Sequence, residues 1–127
     1  YGMKPKPGLG NMWANINYPG SYNKQHIHPN SQWSGVYYVK VPENSGNLFV
    51  EDPRPGPNII LPRRTEKIPR ALWRVVIYPA MEGQMIMFPA WLSHGVEING
   101  SKEKGEKSWR VSVSFNFIQV DEKGKVV

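Results

Sequence analysis

His26 and His28 stand one residue apart in "NKQHIHPNSQWSG", and the chain has only one other histidine, His94. Residues i and i+2 of an extended strand project from the same face. Read as a strand, the segment presents two imidazoles side by side, with Ile27 pointing away. His94 follows "GQMIMFPAWLS", where an apolar strand pattern ends in a short turn. Two such strands set opposite one another would let three imidazoles share one metal. Imidazole without thiolate suits Fe, Zn, Cu, Ni or Mn, and ligand type alone does not choose among them. For any one histidine, the ordinary alternative is a separate hydrogen-bonded role; the HxH pair with the sole remaining histidine favours a joint site.

A second constellation lies in "SWRVSVSFNF", where alternation puts Arg110, Ser112, Ser114 and Asn116 on one face and Val111, Val113, Phe115 and Phe117 on the other. A guanidinium facing the interior of a β-barrel is costly unless it meets an anion. Its planar fork binds a carboxylate through two parallel hydrogen bonds, and a neighbouring serine hydroxyl can add a third. An Arg-x-Ser after the last histidine therefore reads as a carboxylate socket beside a metal. An amphipathic edge strand with Arg110 in water is the plainer alternative.

Both groups need strands to hold them. Helical periodicity is nearly absent, and short apolar or alternating runs recur at 11–17, 22–29, 34–41, 46–51, 71–78, 84–88, 93–98 and 109–118. Turn chemistry such as "YPGS", "PENSG" and "NGSKEKG" separates them. Eight short strands with little or no helix predict an all-β, double-sheet jelly roll with a mouth between its sheets. Residues 52–70, with five prolines, read as a long loop. At 127 residues the chain is expected to form one domain, 1–127.

Composition narrows the function. With no cysteine, disulfides, iron–sulfur clusters and thiolate zinc sites are excluded, and a reducing, cytoplasmic location is expected. No apolar run reaches membrane-helix length and no signal-peptide pattern opens the sequence, so no membrane association is expected. The formal charge of +6 sits in clusters at 63–74, 102–107 and 123–125, among turn-forming or acidic residues and without interleaved aromatics. That pattern reads as solvated loops and speaks against a nucleic-acid groove.

Taken in order, "NKQHIHPNSQWSGVYYVKVP", "SGNLFVEDPR", "GQMIMFPAWLSHGVEIN" and "RVSVSFNF" resemble the Fe(II)- and 2-oxoglutarate-dependent oxygenases, most closely the bacterial and phage group related to prolyl hydroxylases. The resemblance runs from about Trp13 to Phe117. It implies a double-stranded β-helix, Fe(II) as metal, 2-oxoglutarate and O2 as cosubstrates, and ascorbate as an accessory reductant. The implied reaction hydroxylates a substrate, peptide or small molecule, while 2-oxoglutarate becomes succinate and CO2. Carried over by position, the metal motif falls on His26, His28 and His94. The socket for the distal carboxylate falls on Arg110 and Ser112, with Tyr38 as a further contact. The family's usual HxD or HxE carboxylate is His28 here, so the triad becomes three histidines, and Asp52 or Glu51 is the candidate for a missing oxygen ligand. Trp13, Asn15, Trp33 and Arg54 are candidates for lining the mouth.

Two other readings stand beside this one. A cupin-type dioxygenase also holds metal with three histidines in a jelly roll, and Gly20, Gly83 and Pro89 match parts of its motifs. It lacks here the glutamate expected after HxH, has Trp91 where glycine is expected, and gives no reason for Arg-x-Ser. A non-catalytic metal-binding module would keep the barrel and use its basic loops to hold a partner.

Overall fold

The computed structural model describes residues 4–56 and 73–127. Eight strands follow one another: β1 (Lys6–Asn17), β2 (Asn23–His26), β3 (Trp33–Lys40), β4 (Leu48–Glu51), β5 (Val75–Tyr78), β6 (Met85–Pro89), β7 (His94–Val96) and β8 (Arg110–Val120). They form two antiparallel four-stranded sheets, ordered β1-β8-β3-β6 and β2-β7-β4-β5. The regular structure among the described residues is almost entirely β, with a 3-10 turn at Gly105–Ser108. This is the jelly roll that the run spacing predicts. Most of the predicted 52–70 loop, and the start of the predicted 71–78 strand, lie outside the described residues. No helix among the described residues is long and apolar enough to cross a membrane.

Local chemistry explains the chain reversals. Between β1 and β2, Tyr18-Pro19-Gly20-Ser21 closes a turn with the Ser21 N–H donating to the Tyr18 carbonyl at 2.9 Å. Proline presets the first corner, and Gly20, at φ 88°, supplies the left-handed second corner that a side chain would resist. At "PENSG", Gly46 also has φ 88°. A Cβ there would stand 2.5 Å from the Glu97 carbonyl and 2.9 Å from Arg110 Nη1, so only glycine lets this loop close over the guanidinium.

Register decides which side chains look into the cleft. Cross-strand partners share a face, so the Asn15–Ser112–Tyr38 and Trp13–Ser114–Val36 rows point between the sheets. The intervening rows, Met12–Phe115–Gly35–Met87 and Ala14–Val113–Tyr37–Met85, point outward. This large sheet is polar within and apolar without. Among the residues its inner face buries are Ser34, Arg110, Ser112 and Asn116. The structure corrects one assignment here. Trp33, a mouth candidate, pairs with Pro89 and Phe117 in an outward row and is 48% exposed. The parity of β3 leaves no other place for it once Ser34 faces in.

Candidate metal centre and anion socket

The predicted strand 22–29 ends early. β2 stops at His26, which pairs with His94 of β7, and His28 lies beyond it. Strand parity therefore does not align the HxH pair. His28 is held instead by a loop clasp: its N–H donates to the Ala90 carbonyl at 2.9 Å, and the Ala90 N–H donates to Gln32 at 3.1 Å. Pro29 and Asn30 turn the chain between them, with Asn30 at φ 64°, a conformation asparagine tolerates.

The three rings nevertheless converge. His28 Nε2 lies 3.0 Å from His26 Nε2 and 3.1 Å from His94 Nε2. The Nδ1 atoms of His26 and His94 face the carbonyls of Lys24 and Leu92 at 2.7 and 2.8 Å. A carbonyl only accepts, so both Nδ1 atoms carry hydrogen, and each neutral ring aims a lone pair from Nε2. A neutral His28 can donate to one of these at most, so at least one contact sets lone pair against lone pair. A cation between the rings resolves that conflict. Two nitrogens held about 2.1 Å from one metal at right angles stand about 3 Å apart, as these do. The donor set thus fits a divalent metal.

Burial favours the neutral form of two of the rings, His94 and His28. It pushes His94 down to about 4, opposed in part by the bond to Leu92. His28 is lowered by burial and then by neighbouring His26. Phe88 packs on His94 at 4.4 Å between centroids, and Trp13 stacks over His28 at 6.3 Å and 24°.

Among the described residues, the cluster that could hold a metal is His26, His28 and His94, and no carboxylate joins it. Glu51 sits in a strand row that faces away from the histidines, bound by Gln25 and, at 3.0 Å, by Arg74. Asp52 accepts from the Arg54 guanidinium, which holds its carboxyl at about 2. Neither supplies the missing oxygen, and Arg54 is engaged by Asp52 rather than placed in the cleft lining.

Deeper in the cleft, Arg110 is 1% exposed. Its Nη1 donates to the Ser45 carbonyl under the Gly46 loop, while Nη2 is buried with no hydrogen-bond partner among the described residues. A buried, unpartnered guanidinium nitrogen costs free energy unless an anion meets it. Burial accordingly lowers the Arg110 pKa, countered by Tyr38 and Glu97. Ser112 lies two residues along the same face, and Tyr38, paired with Ser112, also lines the cleft. Burial raises the Tyr38 hydroxyl, which keeps it protonated as a donor. Asn15 and Trp13 line the cleft between the two ends, with Asn15 donating to Ser114 Oγ at 2.8 Å.

Sequence reasoning missed a buried polar hub that ties the end of β1 to the segment leading into β8. Asn99 is 1% exposed and donates to the Asn17 and Ser108 carbonyls at 2.8 Å each. In the segment "NGSKEKGEKS" the lysines of the 102–107 cluster are exposed, as a solvated loop requires, but Asn99, Ser101 and Ser108 around them are buried. Its one sequence signal is an Asn-Gly-Ser ahead of the charge run, which also reads as a plain turn.

A family model described as "Putative 2OG-Fe(II) oxygenase" matches residues 11–116. No curated protein matches the chain in sequence. Three solved structures share the fold. An oxidoreductase of the 2OG-Fe(II) oxygenase family from Burkholderia pseudomallei is 13% identical at TM-score 0.64, covering 92% of this chain and 47% of its own. SnoN, a non-heme alpha-ketoglutarate-dependent epimerase from nogalamycin biosynthesis, is 16% identical at 0.61, with 90% and 48% covered. AviO1 from Streptomyces viridochromogenes is 17% identical at 0.57, with 88% and 51% covered. The chain spans about half the length of these structures. The family match covers most of the sequence and both candidate constellations, and the chain belongs to the 2OG-Fe(II) oxygenase family.

Proposed function

We propose that this domain is an Fe(II)- and 2-oxoglutarate-dependent dioxygenase that hydroxylates a peptide or small-molecule substrate, with His26, His28 and His94 as metal ligands and Arg110, Ser112 and Tyr38 as the cosubstrate socket. The observation that carries the reading is the pairing of two incomplete sites in one cleft: three converging Nε2 atoms at one end, and the unpartnered Arg110 Nη2 at the other. A ligand with a metal-chelating end and a distal carboxylate completes both. When bound, Fe(II) supplies oxygen activation coupled to decarboxylation of 2-oxoglutarate.

The chain's own residues do the positioning. Arg110 fixes the distal carboxylate through its guanidinium fork, and Ser112 and Tyr38 donate to the same group. The Gly46 loop holds the guanidinium from behind, so the carboxylate meets a preformed donor rather than a mobile side chain. Leu92 and Lys24 hold two imidazoles in the tautomer that leaves Nε2 free. Phe88 packs against His94 and Trp13 stacks on His28, which steadies those two rings. The cupin reading leaves the Arg110 socket without a purpose.

Succinate formation from 2-oxoglutarate, with added Fe(II) and ascorbate, tests the reading. One similar structure is an epimerase, so the assay follows the cosubstrate rather than a hydroxylated product. Under nitrogen, 2-oxoglutarate is expected to perturb the Fe(II) absorption spectrum. A protein that binds Fe(II) with no such perturbation and no succinate contradicts the proposal.

A further inference from the structure

We propose that the histidine end of the cleft is a seat for an apolar group, aliphatic or aromatic, carried by the substrate, and that Trp13 and Trp91 form that seat. The inference rests on the proposed Fe(II)/2-oxoglutarate reading and adds the chemical class of the group that is held beside the metal ligands.

Trp13 stands in an inward row of β1 and lines the cleft, where it remains 37% exposed. Its plane is fixed. The indole stacks on His28 at 6.3 Å and 24°, and its Nε1–H donates to Asn15 Oδ1 at 3.1 Å. Asn15 in turn donates through Nδ2 to Ser114 Oγ at 2.8 Å. The one donor of this indole is therefore used within the wall. What Trp13 offers to a molecule in the cleft is carbon and the face of a π-system.

Trp91 belongs to the turn that holds the other two contacts of the metal end. The Leu92 N–H donates to the Pro89 carbonyl at 2.9 Å, which closes a four-residue turn with Trp91 at its third position. Ala90, just before it, accepts from the His28 N–H, and Leu92, just after it, accepts from His94 Nδ1. Turn corners ordinarily carry Gly, Pro, Asn, Asp or Ser. Tryptophan is highly buried on average, yet Trp91 is 61% exposed. Packing does not account for an open indole at this corner.

Two exposed indoles thus flank the ligand rings, one stacked on His28 and one set between the residues that hold His28 and His94. An apolar group that covers them removes apolar surface from water, which is favourable in proportion to the area covered. A sugar hydroxyl or an ammonium gains less there, because the Trp13 N–H and both ends of the Asn15 amide are already paired.

The experiment is NMR of small dissolved probes with the full chain loaded with Mn(II) and 2-oxoglutarate, using the Zn(II)-loaded chain as the diamagnetic reference. Indole and N-acetylleucinamide are the apolar probes, and glucose and glycinamide are the comparators. Proton relaxation is expressed per bound Mn(II), titrated separately for each variant. The apolar probes are expected to relax severalfold faster than the comparators. Trp13→Ala and Trp91→Ala should each lower that relaxation by roughly threefold, the scale of one aromatic contact, while Trp13→Phe keeps most of it. Circular dichroism verifies that each variant folds. Comparators relaxed as strongly as the apolar probes overturn the inference and leave the metal site intact. Unchanged apolar-probe relaxation in both folded alanine variants overturns it as well. Failure of the unaltered chain to bind Mn(II) at all would overturn the underlying reading together with the inference.

Discussion

The two faces of the β1-β8-β3-β6 sheet have inverted roles. On the inner face, alternate positions bury Ser34, Tyr38, Arg110, Ser112 and Asn116. The outer face carries Met12, Ile16, Tyr37, Val39, Met85 and Met87, all between 39% and 62% exposed. An antiparallel sheet with one solvated face ordinarily shows the opposite pattern, apolar toward the core and polar toward water. The inversion shows where this sheet invests its polar groups. Ser34, Asn116 and Ser114 are hydrogen-bonded by neighbours, while Arg110 Nη2 is buried without a partner among the described residues. The outer face, with no such partners, makes an apolar surface broader than scattered exposed residues produce.

If that division holds, substitutions on the two faces separate cleanly. The largest effect belongs to Arg110→Ala, which should weaken 2-oxoglutarate binding by about 2–5 kcal/mol, the cost of removing one partner of a buried charge pair. Calorimetry of the metal-loaded protein reads it, and metal affinity without cosubstrate should survive the change. Next comes Tyr38→Phe, expected to cost about 1.5–3 kcal/mol in the same measurement if its hydroxyl donates to the bound carboxylate. Unaltered affinity would remove Tyr38 from the socket.

Asn116→Ala acts on the inner face but away from the ligand. It breaks the 2.6 Å bond from Ser34 and the 2.8 Å bond to Asn11, leaving the buried Ser34 hydroxyl unpaired. Stability measured by urea unfolding should fall by about 1–3 kcal/mol while 2-oxoglutarate affinity holds. The smallest effect is expected outside. Met12→Lys with Met87→Lys should change stability by no more than about 0.5 kcal/mol each and leave both ligands bound, while reducing binding of an apolar fluorescent dye. Loss of cosubstrate binding in that double variant would show that the two faces are not independent.

The sequence was most legible where periodicity and chemistry agreed. All eight strands were readable from alternation, and β8 put Arg110 and Ser112 on the inward face as its pattern required. The three histidines meet, though the parity argument for His28 was wrong in its means: a loop clasp on Ala90, not a strand face, brings the ring into place. Such a clasp depends on a contact across 62 positions of sequence, which no local pattern records. The outward turn of Glu51 is a register fact, set by its pairing with Val75, while Asp52 is claimed by Arg54. Trp33 failed for a related reason, since an aromatic near the HxH pair reads as a mouth residue until β3 parity is known. The buried Asn99 hub was hidden because asparagine before glycine is also an ordinary turn signal.

The central claim is that one ligand spans the histidine end and the arginine end of a single cleft. A crystal structure of the protein with Fe(II) and 2-oxoglutarate, grown without oxygen, tests it most directly. The account predicts one metal about 2.0–2.2 Å from Nε2 of His26, His28 and His94. It also predicts the distal carboxylate within hydrogen-bond distance of Arg110 Nη2. A metal bound away from the three rings, or a 2-oxoglutarate whose distal carboxylate leaves Arg110 Nη2 unpartnered, would contradict it.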